Sequence, residues 1–258
     1  MLKTAPLRES DLLVTLFTEE HGRVTAVARG ARRSQRRFAG TLQLLVLCRY
    51  QLGRPPRGDI WSLEGAELER EWNRLATDVI AVAHASYVAE LVGALVPAEA
   101  PEPEALALII ALWDSLAAGG PSPGVLRAIE LALLTLGGHR PALDACAACG
   151  RIDLASGAVF DPSRGGAICR ACAASSRGPN VRPLDPQTLA YLRAAAGFDE
   201  PAAARALDSD PAFTSGDRVA ARDALVSMVQ LLVGKPLKSL EFIAKLGAAG
   251  RRQDRDGT

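Results

Sequence analysis

The sequences Cys146-Ala-Ala-Cys149 and Cys169-Arg-Ala-Cys172 form two C-x-x-C pairs separated by 19 residues. This spacing is typical of structural zinc sites, in which each pair makes a tight turn that carries two thiolates. Two such turns complete a tetrahedral shell around one Zn²⁺. We therefore predict that Cys146, Cys149, Cys169 and Cys172 bind a single structural zinc ion.

A site with four thiolate ligands has no open position for water or substrate, so we expect it to hold local structure together. Five cysteines in 258 residues fit metal binding in a reducing compartment better than a disulfide framework. The alternative is that the four are ordinary reduced or disulfide-forming cysteines without a metal. His139 lies near enough to replace a ligand, but four thiols already fill the shell, so it is interpreted as a surface or capping residue.

Helical periodicity surrounds the cysteine segment on both sides. Asp185 and Pro186 supply an N-cap and a first-turn proline for a helix that continues through Leu192. The charged end Arg251 to Thr258 has no apolar content, and a disordered tail is predicted over 248–258. Further helices are predicted over 75–95, 106–116, 125–136, 217–233 and 237–246.

Before residue 72 the pattern changes to short strands separated by glycine-rich and proline-rich turns. The predicted strands are 12–17, 23–29, 41–50 and 59–63, with a further short run near Leu68. Five short strands at this spacing favour a small barrel, and the OB fold is one of the few five-stranded solutions.

The sequence therefore predicts an α+β protein with two domains. An N-terminal OB-fold β-barrel occupies 1–71, and an α-helical domain with an inserted four-cysteine zinc finger at 146–172 occupies 72–247. Residues 248–258 form the predicted tail.

Positive charge is concentrated in one segment, although the formal net charge of the whole chain is only +1. Between Gly22 and Gly58 there are nine arginines and no acidic residue. Guanidinium groups on the strands and loops of a barrel can follow a phosphate backbone, and counterion release favours this binding. The predicted DNA-contact residues are Arg23, Arg29, Arg32, Arg33, Arg36, Arg37, Arg49, Arg54 and Arg57.

The alternative for this segment is a solvated loop that is basic because the genome favours arginine codons. Only Phe38 and Tyr50 are aromatic here, and either ring could belong to the core. Stacking platforms for bases are therefore scarce, and we expect binding that is dominated by the DNA backbone and only weakly sensitive to sequence.

No pattern of residues supports catalysis. The three histidines, His21, His84 and His139, have no nucleophile or carboxylate partner at a meaningful spacing, and neither a phosphate-binding loop nor a nucleophile elbow is found. We predict a non-enzymatic protein. The rival functions are a zinc-ribbon protein that contacts only other proteins, its arginines binding an acidic partner, and a zinc hydrolase, which would require an open metal site.

Several motifs together resemble the RecO family of bacterial recombination mediators, and the resemblance runs over nearly the whole chain. The most specific pattern is Gly-x-x-Pro-x-Leu-x-x-Cys-x-x-Cys-Gly, ending at Gly150, with Gly165-Gly166 before the second cysteine pair. The weaker similarities are Glu9-Ser-Asp-Leu-Leu-Val, Ala28-Arg-Gly-Ala-Arg, Tyr87 with Glu90-Leu91, Phe160, and Leu237-Lys-Ser-Leu-Glu-Phe242.

The resemblance implies an OB fold, a helical domain interrupted by a zinc finger, and binding of single- and double-stranded DNA with strand annealing. It also implies partnership with RecR and with the C-terminal tail of single-strand binding protein, so that RecA is loaded on coated DNA. No stretch reads as a signal peptide or membrane span, so we expect a cytoplasmic, nucleoid-associated protein. Family members carry a further apolar strand before the Glu-x-Asp motif, whereas only Met1 to Leu7 precede it here, so we expect a shortened first strand.

Overall fold

The computed structural model describes residues 1–34, 36–55, 57–98, 100–154 and 157–246, and the predicted tail at 248–258 lies outside them. The chain forms two compact units. The first contains Met1–Ala118 and the described residues from Phe242 onward, and the second contains Gly119–Glu241. Within the described residues, no helix combines the length and the apolar character that crossing a membrane requires.

Five strands form one sheet in the first unit, in the order β1-β2-β3-β5-β4. They are β1 (Lys3–Pro6), β2 (Leu12–Thr18), β3 (Gly22–Ala28), β4 (Val46–Gly53) and β5 (Ile60–Glu71). Strands β3 and β5 are parallel, and the other pairs are antiparallel. Between the described residues no pairing joins β1 to β4, so the barrel is open. The α+β class is confirmed, and the OB fold is confirmed in part, as a five-stranded sheet that does not close.

Buried and more exposed residues alternate along β2 and β3, and this alternation determines which face of the sheet is buried. Val14, Leu16, Val24 and Ala26 have no exposed surface, while Arg23, between buried neighbours, lies on the outer face. The inner face packs into one apolar core that also contains aromatic and aliphatic side chains from β5 and from the segment after β3. The outer face is therefore the side on which polar residues of these strands are available for binding.

Two predicted strands differ from the structure. The strand predicted from residue 41 begins at Val46, because Leu45 has a φ of 65° and the chain before it makes turns. The two runs predicted at 59–63 and near Leu68 are one strand of 12 residues, β5. A shift in register between Gln51 and Leu52 of β4 lets the pairing continue past Gly65.

Helices α1 (Val79–Leu95) and α2 (Pro103–Gly119) follow β5, as predicted. The Trp72 indole N–H donates to Oδ1 of Asp114 on α2 at 2.9 Å, and the Arg70 guanidinium pairs with the same carboxylate. Arg70 also lies 4.3 Å above the Trp72 ring, which contacts Trp113 edge-on at 5.0 Å. These contacts fix α2 to the end of β5, within the compact unit that contains the sheet.

The second unit consists of helices around a small sheet. Asp185 caps the helix that starts at Pro186, as predicted, with its Oδ1 accepting the Thr188 N–H at 2.7 Å. The sequence did not predict the three short strands, which pair in the order β7-β6-β8. The elements are α3 (Pro123–Leu136), β6 (Ala158–Asp161), β7 (Gly166–Cys169), α4 (Arg170–Ala173), β8 (Arg182–Leu184), α5 (Pro186–Ala196) and α6 (Ser215–Val233).

Candidate metal centre and nucleic-acid interface

The β6–β7 hairpin brings the two cysteine pairs together. Cys169 ends β7, and Cys172 lies in the short helix α4 that follows at once. The first pair forms a turn closed by hydrogen bonds from the Gly150 N–H to the Cys146 carbonyl and from the Cys146 N–H to the Arg151 carbonyl, both 2.8 Å long. The Cys169 N–H then donates to Sγ of Cys146 at 3.3 Å, so the two turns contact each other directly.

The Gly-Gly sequence before the second pair has a steric cause. Gly166 has a φ of 148°, and a Cβ at this position would lie 2.4 Å from the carbonyl oxygen of Ala142. The Ala167 N–H donates to that same oxygen at 2.8 Å. Any larger residue at position 166 would push β7 away from the chain segment that leads into the first cysteine pair.

The four Sγ atoms lie within 4.8 Å of one another, and those of Cys149 and Cys169 are 3.8 Å apart. A disulfide bond requires about 2.05 Å, so these sulfurs are not bonded to each other. The cluster could hold a metal ion, and in the described part of the chain it contains no ligand other than the four predicted cysteines. His139 is exposed and is not a member of the cluster.

Two thiols of the cluster, those of Cys146 and Cys172, differ in their pKa. Burial favours the neutral thiol of Cys146, but hydrogen bonds from the backbone N–H groups of Cys169, Ala148 and Cys149 outweigh it and lower the pKa to about 6. Hydrogen bonds with the sulfurs of Cys149 and Cys169 raise the pKa of Cys172 to about 12. The Cys146 thiolate is thus favoured near neutral pH, and a bound cation would release the proton that Cys172 retains.

The nine predicted DNA-contact arginines do not form one cluster. Because Thr25 of β3 pairs with Ile60 of the parallel strand β5, the described residues between 54 and 59 lie at the Gly22 end of β3. The loop after β3 begins at the opposite end, beyond Ala28. At about 3.3 Å per residue, Arg23 and Ala28 are about 17 Å apart.

The arginines are distributed accordingly. We call the described part of residues 29–40 the arginine loop, and it contains Arg29, Arg32, Arg33, Arg36 and Arg37. The opposite end of the sheet, the Arg23 end, contains Arg23, Arg54 and Arg57. Arg49 lies in the middle of β4, where it forms an ion pair of 2.7 Å with Glu69.

The turn between β1 and β2 holds the base of the arginine loop. Oδ1 of Asp11 accepts the Gly30 N–H at 2.9 Å, and the Ser10 carbonyl accepts the Arg32 N–H at 3.0 Å. The Arg32 guanidinium donates to the Glu9 carbonyl at 3.1 Å. The hydrogen bond from Gly30 lowers the pKa of Asp11, and the Ser10 hydroxyl and nearby arginines add to this effect. The Glu9-Ser-Asp motif is visible in the sequence, but its contacts with a loop so much later in the chain are not.

The arginine side chains fall into two groups. Tied side chains make a polar or ring contact within the protein, and free side chains make none with any described residue. Arg37 donates to the Arg29 carbonyl at 2.9 Å, and Arg33 lies 3.9 Å from the Glu9 carboxylate. Arg54 lies 5.8 Å from the centre of the Trp61 ring. Of the nine, Arg29, Arg36 and Arg57 are exposed and make no hydrogen bond, ion pair or ring contact with any described residue.

The two aromatic rings of the segment are engaged within the protein. Phe38 is 4% exposed and belongs to the core of the sheet. The Tyr50 hydroxyl donates to the Thr41 carbonyl at 3.1 Å. Phe38 therefore offers no platform on which a base could stack, and the arginine loop can act on DNA mainly through charge.

The chain was compared with known proteins. The family profile "Recombination protein O N terminal" matches residues 1–72, and "Recombination protein O C terminal" matches residues 76–241. The "DNA repair protein RecO" of Anaeromyxobacter sp. (strain K) is 38% identical over 248 residues, which cover 96% of this chain and 94% of that protein. The proteins of the same description from Geobacter sulfurreducens and Myxococcus xanthus are 34% and 33% identical, each over at least 95% of both chains.

Proposed function

The chain belongs to the RecO family of DNA repair proteins, and on that premise we propose that it is a DNA-binding recombination mediator. It binds single- and double-stranded DNA, anneals complementary strands and helps to load RecA onto DNA coated by single-strand binding protein. Residues 1–71 hold DNA, and residues 72–247 dock RecR and the C-terminal tail of single-strand binding protein. The protein acts at the nucleoid in the cytoplasm, by binding and without covalent chemistry.

The observation that carries this proposal is the arginine loop. Asp11, Ser10 and Glu9 hold it in one conformation, while the guanidinium groups of Arg29 and Arg36 project into solvent without a partner among the described residues. Because the backbone of the loop is already ordered, binding of phosphates by these guanidinium groups requires no further ordering of the loop. The release of condensed counterions then supplies most of the free energy of binding.

The nine predicted contacts take different roles in this mechanism. Arg29, Arg36 and Arg57 bind phosphates first, and Arg33 joins them because a single exposed ion pair of 3.9 Å is weak. Arg32 and Arg37 shape the loop through their bonds to backbone carbonyls. Arg23 and Arg54 act at the other end of the sheet, and Arg49 contributes least because its ion pair with Glu69 neutralises its charge.

We attribute strand annealing to the distance between the arginine loop and the Arg23 end of the sheet. Two DNA strands repel each other through their phosphates, and this repulsion opposes pairing. Arginines about 17 Å apart at the two ends of the sheet can neutralise one strand each, or two segments of the same strand. Complementary bases can then meet while the phosphates remain bound to protein, and contact through the backbone leaves the base edges free to pair.

We assign the ion of the four-cysteine site as one structural Zn²⁺. Zinc–thiolate bonds of about 2.3 Å in a tetrahedron place neighbouring sulfurs about 3.8 Å apart. The distance of 3.8 Å between the sulfurs of Cys149 and Cys169 fits this value. With four thiolate ligands the ion has no open position, so it would hold the β6–β7 hairpin against the preceding chain and would not act on a substrate.

Fluorescence anisotropy of labelled single-stranded DNA at about 50 and 200 mM salt tests the function. We expect tight binding that falls by orders of magnitude between these conditions, and Arg36→Ala should reduce the salt slope by about 0.7. The matched control is Arg222→Ala, which removes an exposed arginine that is paired with Asp223 in the second unit.

Zinc content and folding are measured on the same samples. A folded, zinc-loaded protein with no affinity for DNA at the lower salt would contradict the proposal. It would favour the zinc-ribbon protein-interaction module, whose arginine loop binds an acidic partner. Equal losses of affinity in the Arg36 and Arg222 variants would retain DNA binding but reject the loop as its site.

A further inference from the structure

Two aromatic rings and a guanidinium group meet at the Arg23 end of the sheet. The His21 imidazole contacts the Trp61 indole at a centroid distance of 4.9 Å and an interplanar angle of 35°. The Arg54 guanidinium lies 5.8 Å from the centre of the same indole. Rings attract each other at such distances, and a cation near the face of an indole is attracted as well. We call these three side chains the His21 cluster.

Trp61 is the fixed part of the His21 cluster. It is 8% exposed and belongs to the apolar core of the sheet. On β5 it pairs with Ala26 of β3, so its backbone lies within the sheet. The core therefore holds the indole in place, and a ring that packs on the indole has a rigid support.

The turn between β2 and β3, which carries His21, is held in one conformation. Oγ1 of Thr18 accepts the His21 N–H at 3.1 Å, and the Thr18 hydroxyl donates to the Gly22 carbonyl at 3.1 Å. Gly22 has a φ of 60°, and a Cβ at this position would overlap the carbonyl oxygen of Ala100. The imidazole is therefore attached to an ordered backbone as well as to a rigid ring.

The His21 side chain remains accessible, although it packs on Trp61. It is 43% exposed. The Glu20 carboxylate lies 3.9 Å from the ring nitrogen Nε2, and the Glu20 side chain is itself 86% exposed. An aromatic ring with a rigid support and an open side is the kind of platform on which single-strand binding proteins stack bases.

Charge alone holds a DNA strand less firmly at the Arg23 end than at the arginine loop. The loop has five arginines, and the acidic residues that contact it are Glu9 and Asp11. The Arg23 end has three arginines, and three acidic residues at this end weaken their field, namely Glu19, Glu20 and Asp59. A contact with a base does not depend on net charge, so it adds most at the Arg23 end.

We propose that His21 is a stacking platform for one base of a single-stranded DNA segment, supported from beneath by Trp61. The inference rests on the proposed DNA binding and adds a contact with a base to the contacts with phosphates. Every base has a π face, so the platform accepts all four bases. Stacking uses the face of the base and leaves its hydrogen-bonding edge free, as strand annealing requires.

Anisotropy titrations with two labelled strands of about 12 units test the proposal, one of thymidine and one of abasic sugar–phosphate units. Both strands carry the same phosphates, so the ratio of their dissociation constants reports contacts with bases. The wild-type protein should bind the thymidine strand about tenfold more tightly. His21→Gln keeps a polar side chain but has no ring, so it should reduce this ratio about fivefold and leave the salt slope unchanged.

Three further variants separate stacking from charge and from folding. His21→Phe keeps a ring on Trp61 and should retain the ratio. Arg57→Gln, at the same end of the sheet, should lower the salt slope by about 0.7 and also retain the ratio. His139→Gln is the matched control, because His139 is exposed in the second unit outside the four-cysteine cluster, and it should change neither quantity.

Two results would overturn the inference while DNA binding stands. They are a ratio near one in the wild-type protein, and equal ratios in the wild type and His21→Gln. No affinity for either strand at about 50 mM salt rejects the proposed function and the platform together. Thermal unfolding verifies that the variants fold. A partial loss of folded protein would weaken both strands alike, so the ratio still reports stacking.

Discussion

The four-cysteine cluster and the arginine loop stabilise their geometry in opposite ways. The cluster is built into a hairpin. The sulfurs of Cys149 and Cys169 are 3.8 Å apart, which is the separation of two thiolate ligands of one zinc ion. The loop has no regular structure of its own and depends on hydrogen bonds to a turn about 20 residues earlier in the chain, such as that from Gly30 to Asp11. A metal can therefore fix the first site, whereas only protein contacts preorganise the second.

The largest difference between the two regions is expected from Cys149→Ser. Loss of one thiolate should remove the metal and destabilise the second unit by several kcal/mol, because a structural zinc ion contributes on the order of 10 kcal/mol in small fingers. The arginine loop should keep its DNA affinity, since it lies in the other compact unit. Thermal unfolding, zinc content and anisotropy on one preparation measure the three effects.

Cys48→Ser is the matched control for this experiment. Cys48 lies in β4 and is not a member of the four-sulfur cluster; its Sγ contacts the Thr41 carbonyl at 3.7 Å. We expect this variant to keep its metal and nearly all of its stability. A Cys149 variant that retained full metal content and an unchanged Tm would show that the cluster does not depend on four ligands.

The difference between the two regions also explains what the sequence could predict. The spacing of two C-x-x-C pairs identifies all four cluster members because few other arrangements use it. Alternating apolar residues likewise identified β2 and β3. The number of arginines identified a positive segment, but whether Arg49 or Arg36 is free depends on Glu69 and other residues distant in sequence.

Other features of the fold could not be predicted from the periodicity of the sequence, for similar reasons. Strand β1 reads Lys-Thr-Ala-Pro, which has no apolar alternation, so only the family resemblance indicated a shortened strand here; it is a strand because it pairs with β2. Strand β4 was predicted too early because Leu45 resembles a strand residue but adopts a positive φ. The β6–β7–β8 sheet consists of strands of three or four residues, which are too short for a periodic signal.

A smaller difference in DNA binding is expected between variants of the free arginines and variants of the tied ones. Arg29→Ala with Arg36→Ala should lower the salt slope of single-strand binding by about 1.4, at about 0.7 per phosphate, without changing the loop. Arg32→Ala with Arg37→Ala should lower affinity by loosening the loop, because both guanidinium groups donate to backbone carbonyls.

Hydrogen exchange distinguishes the two double variants. The Gly30 amide, which donates to Asp11, should exchange faster in the Arg32 and Arg37 variant and at the wild-type rate in the Arg29 and Arg36 variant. Similar exchange in both would mean that the guanidinium bonds do not order the loop, and all five arginines would then be equivalent phosphate contacts.

The smallest predicted effect concerns the charge of Asp11. Its pKa lies below the ordinary value of 3.8, chiefly because the Gly30 N–H donates to the carboxylate. A depressed pKa in the folded state means that the carboxylate stabilises the loop above pH 3.8, and that this contribution is lost as the pH falls through the lower folded value. Asp11→Asn should therefore lower DNA affinity a few fold at pH 7 and reduce Tm slightly.

The pH dependence of this difference provides the decisive measurement. The Tm difference between the wild type and Asp11→Asn should be constant from about pH 5 to 7 and shrink at lower pH, as the wild-type carboxylate becomes protonated. Glu19→Gln changes an exposed acid on the turn after β2, removes the same charge without touching the loop, and should not lower DNA affinity. If Asp11→Asn instead tightened DNA binding, as the loss of a negative charge alone predicts, the arginine loop would not need its anchor.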